Sequence, residues 1–123
     1  MPSIDSQITF CYTLDLTTTS RFYKMKLGLP LVLDQGGCRI FRTAGGAYLG
    51  FCDREDAERP GGVVLTLVTD DVDAWADHLD EMGVVLEQEP MHNDEYGIYH
   101  LFLKDPNGYT IEIQSFDDPE WDK

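Results

Sequence analysis

The sequence predicts an α+β fold made of two tandem βαβββ modules within one domain, residues 1–123. Three observations carry that prediction: an internal repeat, a helical stripe in each copy, and glycine-based turns that cut the remainder into short strands. Laid over one another, the stretches from Ile8 and from Val64 bring Ile8 onto Val64 and Asp15 onto Asp71. Each copy then reads as a β-rich stretch, an acidic turn, a helix of about three turns, a glycine at Gly28 or Gly83, and a further apolar strand. The first module spans 7–52 and the second 63–116, with a connector at 53–62 and a polar tail at 117–123.

The second helix has the clearer pattern. Val72, Trp75, Ala76, Leu79 and Met82 recur at the three-and-four spacing that places them on one face. Asp71 is its expected N-cap, and Gly83 can adopt the left-handed conformation that ends it. In the first helix Thr17 or Thr18 is the expected cap, Phe22 and Met25 the inward face, and Gly28 followed by Pro30 the stop.

Gly36-Gly37 and Gly45-Gly46 divide the rest of the first copy into strands near Leu31–Leu33, Arg39–Thr43 and Ala47–Cys52. Asp105-Pro106-Asn107-Gly108 is the strongest turn signal and joins strands predicted at Ile98–Leu103 and Tyr109–Phe116. The connector breaks on Pro60-Gly61-Gly62, and Trp121 in the polar tail can fold back over apolar surface.

Composition narrows the function classes. With 23 acidic against 9 basic residues, the formal charge of -14 repels phosphate backbones and anionic membranes, so neither nucleic acid nor membrane is an expected partner. Cys11, Cys38 and Cys52 are odd in number and lack a CxxC pair, which reads as reduced thiols rather than a disulfide framework. No export signal and no run near the roughly 20 apolar residues of a membrane span is visible, so a cytoplasmic location is expected.

The repeated βαβββ module, the piece TDDVDAW and the ending DPNGYTIEI resemble the vicinal-oxygen-chelate superfamily of glyoxalases, bleomycin-resistance proteins and dioxygenases over about residues 7–116. The resemblance implies mixed sheets that curl into a cup around a small molecule, and a homodimer. In metal-dependent members four strand positions supply His or Glu ligands, and these fall on Ile8, Gly50, Val64 and Glu112. Only Glu112 can bind a metal, whereas an open catalytic site wants about three nitrogen or oxygen donors. No metal or other cofactor is therefore expected. The alternative is one divalent ion on Glu112, His100 and His92.

Period-two alternation puts Thr110 and Gln114 on the same side as Glu112 and turns Ile111 and Ile113 the other way. The resemblance places His100 and Phe102 on the same face from the neighbouring strand. Phe10 and Tyr12 share the side of Ile8. Glu112 and His100 are the candidate pair for proton transfer or for gripping a polar ligand group. Phe10, Tyr12, Tyr48, Phe102, Thr110 and Gln114 are candidate ligand contacts, joined by His92 and Tyr96 from a segment expected to be a covering loop. Two functions follow. One is metal-independent binding or sequestration of a small cationic or aromatic molecule, and the other is a lyase, isomerase or dioxygenase using Glu112 as metal ligand or general base.

Overall fold

The computed structural model describes residues 1–57 and 61–121. The chain falls into two compact units, Met1–Arg59 and Pro60–Lys123, each holding one four-stranded mixed sheet. The first unit runs β1 (Gln7–Thr13), α1 (Leu16–Arg21), a π-helical turn (Phe22–Lys26), β2 (Leu31–Asp34), β3 (Cys38–Ala44) and β4 (Ala47–Asp53). The second runs β5 (Val64–Val68), α2 (Val72–Glu81), β6 (Gln88–Asn93), β7 (Ile98–Lys104) and β8 (Thr110–Phe116). The two tandem βαβββ modules of the α+β prediction are thus present.

Strand order is the same in both units. It is β1-β4-β3-β2 in the first and β5-β8-β7-β6 in the second, with the first strand parallel to the last and the remaining pairs antiparallel. A parallel neighbour needs a crossover, and each helix supplies it, which leaves the helix on one face of its sheet and the other face open.

In the first unit Tyr23 stacks on Phe51 with ring centroids 4.3 Å apart, and Phe41 lies 6.2 Å from both rings. All three are fully buried. The inward stripe of this helical segment is Leu16, Thr19, Ser20, Tyr23 and Leu27, whereas Phe22 is half-buried and Met25 exposed. The expectation for Phe22 and Met25 was wrong because two of the five stripe positions, Thr19 and Ser20, are small hydroxyl residues that an apolar pattern does not mark. The Thr13 and Thr19 hydroxyls bond each other at 2.8 Å, which satisfies both inside the core.

The caps split similarly. Asp71 caps α2, its carboxylate accepting from Ala74 N at 3.0 Å, as predicted. For α1 the cap is Asp15, not Thr17 or Thr18: its carboxylate accepts from both the backbone N (3.0 Å) and the hydroxyl (2.7 Å) of Thr18. These two bonds hold the Asp15 carboxyl below its ordinary range. The helix-ending glycines take the expected left-handed geometry, Gly28 at φ 70 and Gly83 at φ 76.

In the second unit α2 packs on β6, β7 and β8, burying Val72 and Leu79 on the side of Leu101, Leu103, Ile111 and Ile113. Truncating a side chain buried this completely costs about 2–5 kcal/mol. Tyr99 ties strand to helix, donating to Asp73 at 2.6 Å, a bond that raises the phenol above its usual value. The DPNG turn is organised by buried Asp105, whose Oδ1 accepts from Asn107 N and Tyr109 N at 2.8 and 2.9 Å.

Two further expectations are corrected. The apolar stretch after Gly83 is irregular, and the strand there is β6, which takes in the first part of the segment expected to be a loop, His92 included, while Tyr96 lies in the turn that follows. Cys38 and Cys52 form a disulfide, while Cys11 is buried and takes no part in it. In the β3/β4 hairpin Cys38 stands directly opposite Cys52. A spacing of 14 shows this only once the hairpin is folded about Gly45. Part of the connector and the last two residues of the tail lie outside the described residues. Trp121 does stack back on Phe116, at 4.0 Å between centroids.

Candidate functional site

Adjacent strands in register present directly opposed residues on the same face. In the second unit β5 pairs Thr66 with Glu112, while β7 pairs His100 with Gln114 and Phe102 with Glu112. These five side chains therefore share the open face, away from α2. Ile111 and Ile113 turn the other way and are buried.

Glu112 is the centre of the group. Its Oε2 lies 2.6 Å from His100 Nδ1, with side-chain exposures of 8% for the histidine and 13% for the glutamate. Thr66 donates to Oε1 at 2.9 Å. The amide of Gln114, oriented with its nitrogen toward the carboxylate, donates to Oε1 and Oε2 at 3.0 and 2.9 Å. Because a carboxylate oxygen accepts, the imidazole hydrogen on this side sits on Nδ1, which leaves Nε2 as the acceptor of the neutral ring. The Phe102 ring stands edge-on to the imidazole at 5.0 Å and fixes its plane.

The other sequence candidates lie elsewhere. Thr110, two residues before Glu112 on the same face, is turned to Lys104, accepting from its Nζ at 2.6 Å. Tyr96 sits in the turn between β6 and β7 and is exposed. His92 stands opposite Tyr99, on the helix side of the sheet, and its ring contacts Asp117 at 3.3 Å. It projects from the face opposite His100, so the trio His92, His100 and Glu112 does not assemble. Strand alternation in β6 turns one of the two histidines away.

In the first unit Phe10, Tyr12 and Tyr48 share the open face with Gly50. Arg54 lies over the Tyr12 ring at 5.0 Å and Arg42 over Tyr48 at 5.6 Å, so the chain's own cations already cover these two aromatic faces. Phe10 pairs with Gly50, and a Cβ built at position 50 would come within 2.5 Å of its ring. The ring thus occupies the space from which a ligand side chain at 50 would start. Ile8 and Val64 carry no donor atom, the oxygens of Glu112 are engaged by three neighbours, and no cluster of three or more His, Cys, Asp or Glu exists among the described residues. These residues do not fit a divalent ion.

Thr66 escaped the sequence reading. The signal was available: counting two residues along β5 from Val64 places Thr66 on the face of Glu112, and the repeat sets it where Phe10 stands in the first copy.

A model of the Glyoxalase/Bleomycin resistance protein/Dioxygenase superfamily matches residues 8–113. The chain belongs to that superfamily. Among solved structures it is similar to a lactoylglutathione lyase from Agrobacterium tumefaciens, with 25% identity, TM-score 0.76 and 98% of each chain covered. A glyoxalase/bleomycin resistance protein/dioxygenase from Nocardioides is 21% identical at TM-score 0.75, covering 100% of this chain and 89% of that one. An integron cassette protein from V. cholerae is 21% identical at TM-score 0.73, covering 94% and 98%. No curated protein matches the sequence. Among the described residues no helix is long and apolar enough to cross a membrane.

Proposed function

We propose that this superfamily member binds a small aromatic molecule without a metal, gripping a polar group of it through His100 on the open face of the second module. The observation that carries this reading is the saturation of Glu112. A carboxylate accepting from Thr66, His100 and Gln114 is built to hold an imidazole in one orientation rather than to leave its oxygens for an incoming ion. An aromatic guest is favoured because Phe102 stands beside His100 on that face.

The test is calorimetric titration of chelator-treated protein with a panel of aromatic and heteroaromatic compounds. The expected result is saturable binding unaffected by the chelator and weakened at least tenfold in His100→Ala. Binding that disappears on chelation and returns with zinc, nickel or manganese would overturn the proposal.

A second reading, an isomerase or lyase, is favoured by one observation, the 2.6 Å His100–Glu112 pair at low exposure. Here His100 Nε2 exchanges a proton with substrate and Glu112 steadies the imidazolium. In that case Glu112→Gln lowers kcat by about 10²–10⁴ with little change in KM, and full activity of that variant would end the reading. Either function is compatible with a homodimer. The exposed apolar rows Ile8, Phe10 and Tyr12 on β1 and Val64 and Val68 on β5 support one, and a monomeric mass in sedimentation would refute it.

A further inference from the structure

A crevice of about 300 Å³ opens in the first module between its helical segment and strands β2 and β3, on the side of the sheet away from the aromatic open face. Its charged lining is Arg21, Lys24 and Arg39, with the hydroxyl residues Thr17 and Ser20 beside them, and its apolar lining is Met25, Leu31 and buried Phe41. Three of the chain's nine basic residues therefore gather here in a protein of formal charge -14.

The repeat supplies an internal control. The equivalent crevice of the second module, about 450 Å³ between α2 and β6, is lined by Asp77, Asp80 and Glu89. With the N-caps Asp15 and Asp71 superposed, Arg21 falls on Asp77 and Lys24 on Asp80. The crevice is a product of the module, but its sign is reversed at identical helix positions.

Two details single out the first crevice. Lys24 and Met25 sit on the π-helical turn Phe22–Lys26, where Leu27 N bonds back to Phe22 O, whereas α2 is regular to Glu81. Turns of this kind are uncommon and cluster at functional positions. Arg39 is held by its Nη1 donating to Ser20 Oγ at 3.1 Å, but its Nε, 3.4 Å from Asp34 Oδ2, is too poorly aligned for a hydrogen bond and has no such partner. Arg21 and Lys24 make no salt bridge with a described residue.

We infer that this crevice is a second binding site, independent of His100 and Glu112, for a small amphiphilic carboxylate. The anionic head sits between Arg21, Lys24 and Arg39, and the apolar body lies along Met25, Leu31 and Phe41. At about 30 Å³ per water-sized group, the volume suits a ligand of roughly ten non-hydrogen atoms.

Octanoate is the matching probe, and methyl NMR of the full chain is the readout. Titration is expected to give saturable shifts at the Met25 and Leu31 methyls. Octanamide, equal in size and uncharged, should bind at least tenfold more weakly, as should octanoate to the exposed-surface double variant Arg21→Gln/Lys24→Gln. Methyl spectra of the unliganded variant away from the crevice should be unchanged. Equal binding of octanamide would overturn the site as an anion receptor, and inorganic phosphate competing as tightly as octanoate would overturn the amphiphile assignment. Octanoate shifts confined to the second module, around Val64 and Leu101, would overturn the location while leaving the His100 proposal intact.

Discussion

Glu112 meets its neighbours through one threonine, one histidine and one glutamine, and these contacts are unequal in consequence. Thr66→Val removes a single donor and should lower stability by about 1 kcal/mol. Glu112→Ala leaves buried His100 and Gln114 without an acceptor and should cost about 2–3 kcal/mol in urea melts; a loss below 1 kcal/mol would show that the carboxylate does not organise this face. At the same scale in the first module, Gly50→Ala drives a methyl into the Phe10 ring and should cost about 1–3 kcal/mol. Adding Phe10→Ala should then make the alanine at 50 nearly neutral. Additive losses in that double-mutant cycle would contradict the packing described here.

At the scale of elements, Asp15 gives a pH signature. Its carboxyl is held below the ordinary aspartate value of about 3.9 by the bonds from Thr18, so its stabilising effect is complete above that value and fades as pH falls through the lower folded one. Asp15→Asn should therefore be less stable than the native chain at pH 7, by a margin that narrows as the pH is lowered into the acid range, measured by thermal melts. A margin that stayed constant throughout the acid range would rule out the charged cap. Tyr99 runs the opposite way. Its phenol is raised by the bond to Asp73, so the tie to α2 holds below the ordinary tyrosine range and weakens as pH climbs through the higher folded value.

Elements were legible where chemistry is local. The capping carboxylate at Asp71, the left-handed glycines at Gly28 and Gly83 and the DPNG turn all act within a few residues. Elements were missed where context decides. The segment around His92, expected to be a covering loop, forms β6 at the sheet edge, where the absent N–H of Pro90 is tolerated. A loop there would let His92 reach His100, whereas strand parity separates them. Glu112, His100 and Gln114 were readable because they lie on well-punctuated strands. The π-helical turn has no compositional mark, so the basic crevice beside it could not be foreseen.

For the whole molecule, the Cys38–Cys52 bridge makes a direct prediction. Alkylation in denaturant should label only Cys11 without reductant and all three cysteines with it. Closing a loop of this length is worth about 3 kcal/mol, which reduction should remove from the urea-unfolding free energy. Three labelled thiols without reductant, in protein never exposed to one, would refute the bridge. The surplus of acidic charge adds a salt dependence. Raising ionic strength from about 10 mM to 150 mM screens self-repulsion and should increase Tm, by roughly 3 °C or more for a gain near 1 kcal/mol.

The parallel pairing of the first strand with the last has a further consequence for how the chain is made. Gln7 lies beside Ala47 and Val64 beside Thr110, so neither sheet can close until its final strand exists. During translation the N-terminal half stays an open segment, β1 without its parallel neighbour, until β4 has left the ribosome. The same pairing then makes that half topologically complete within its own residues, so synthesis proceeds as two successive closures, and each pause exposes one module's worth of apolar strand.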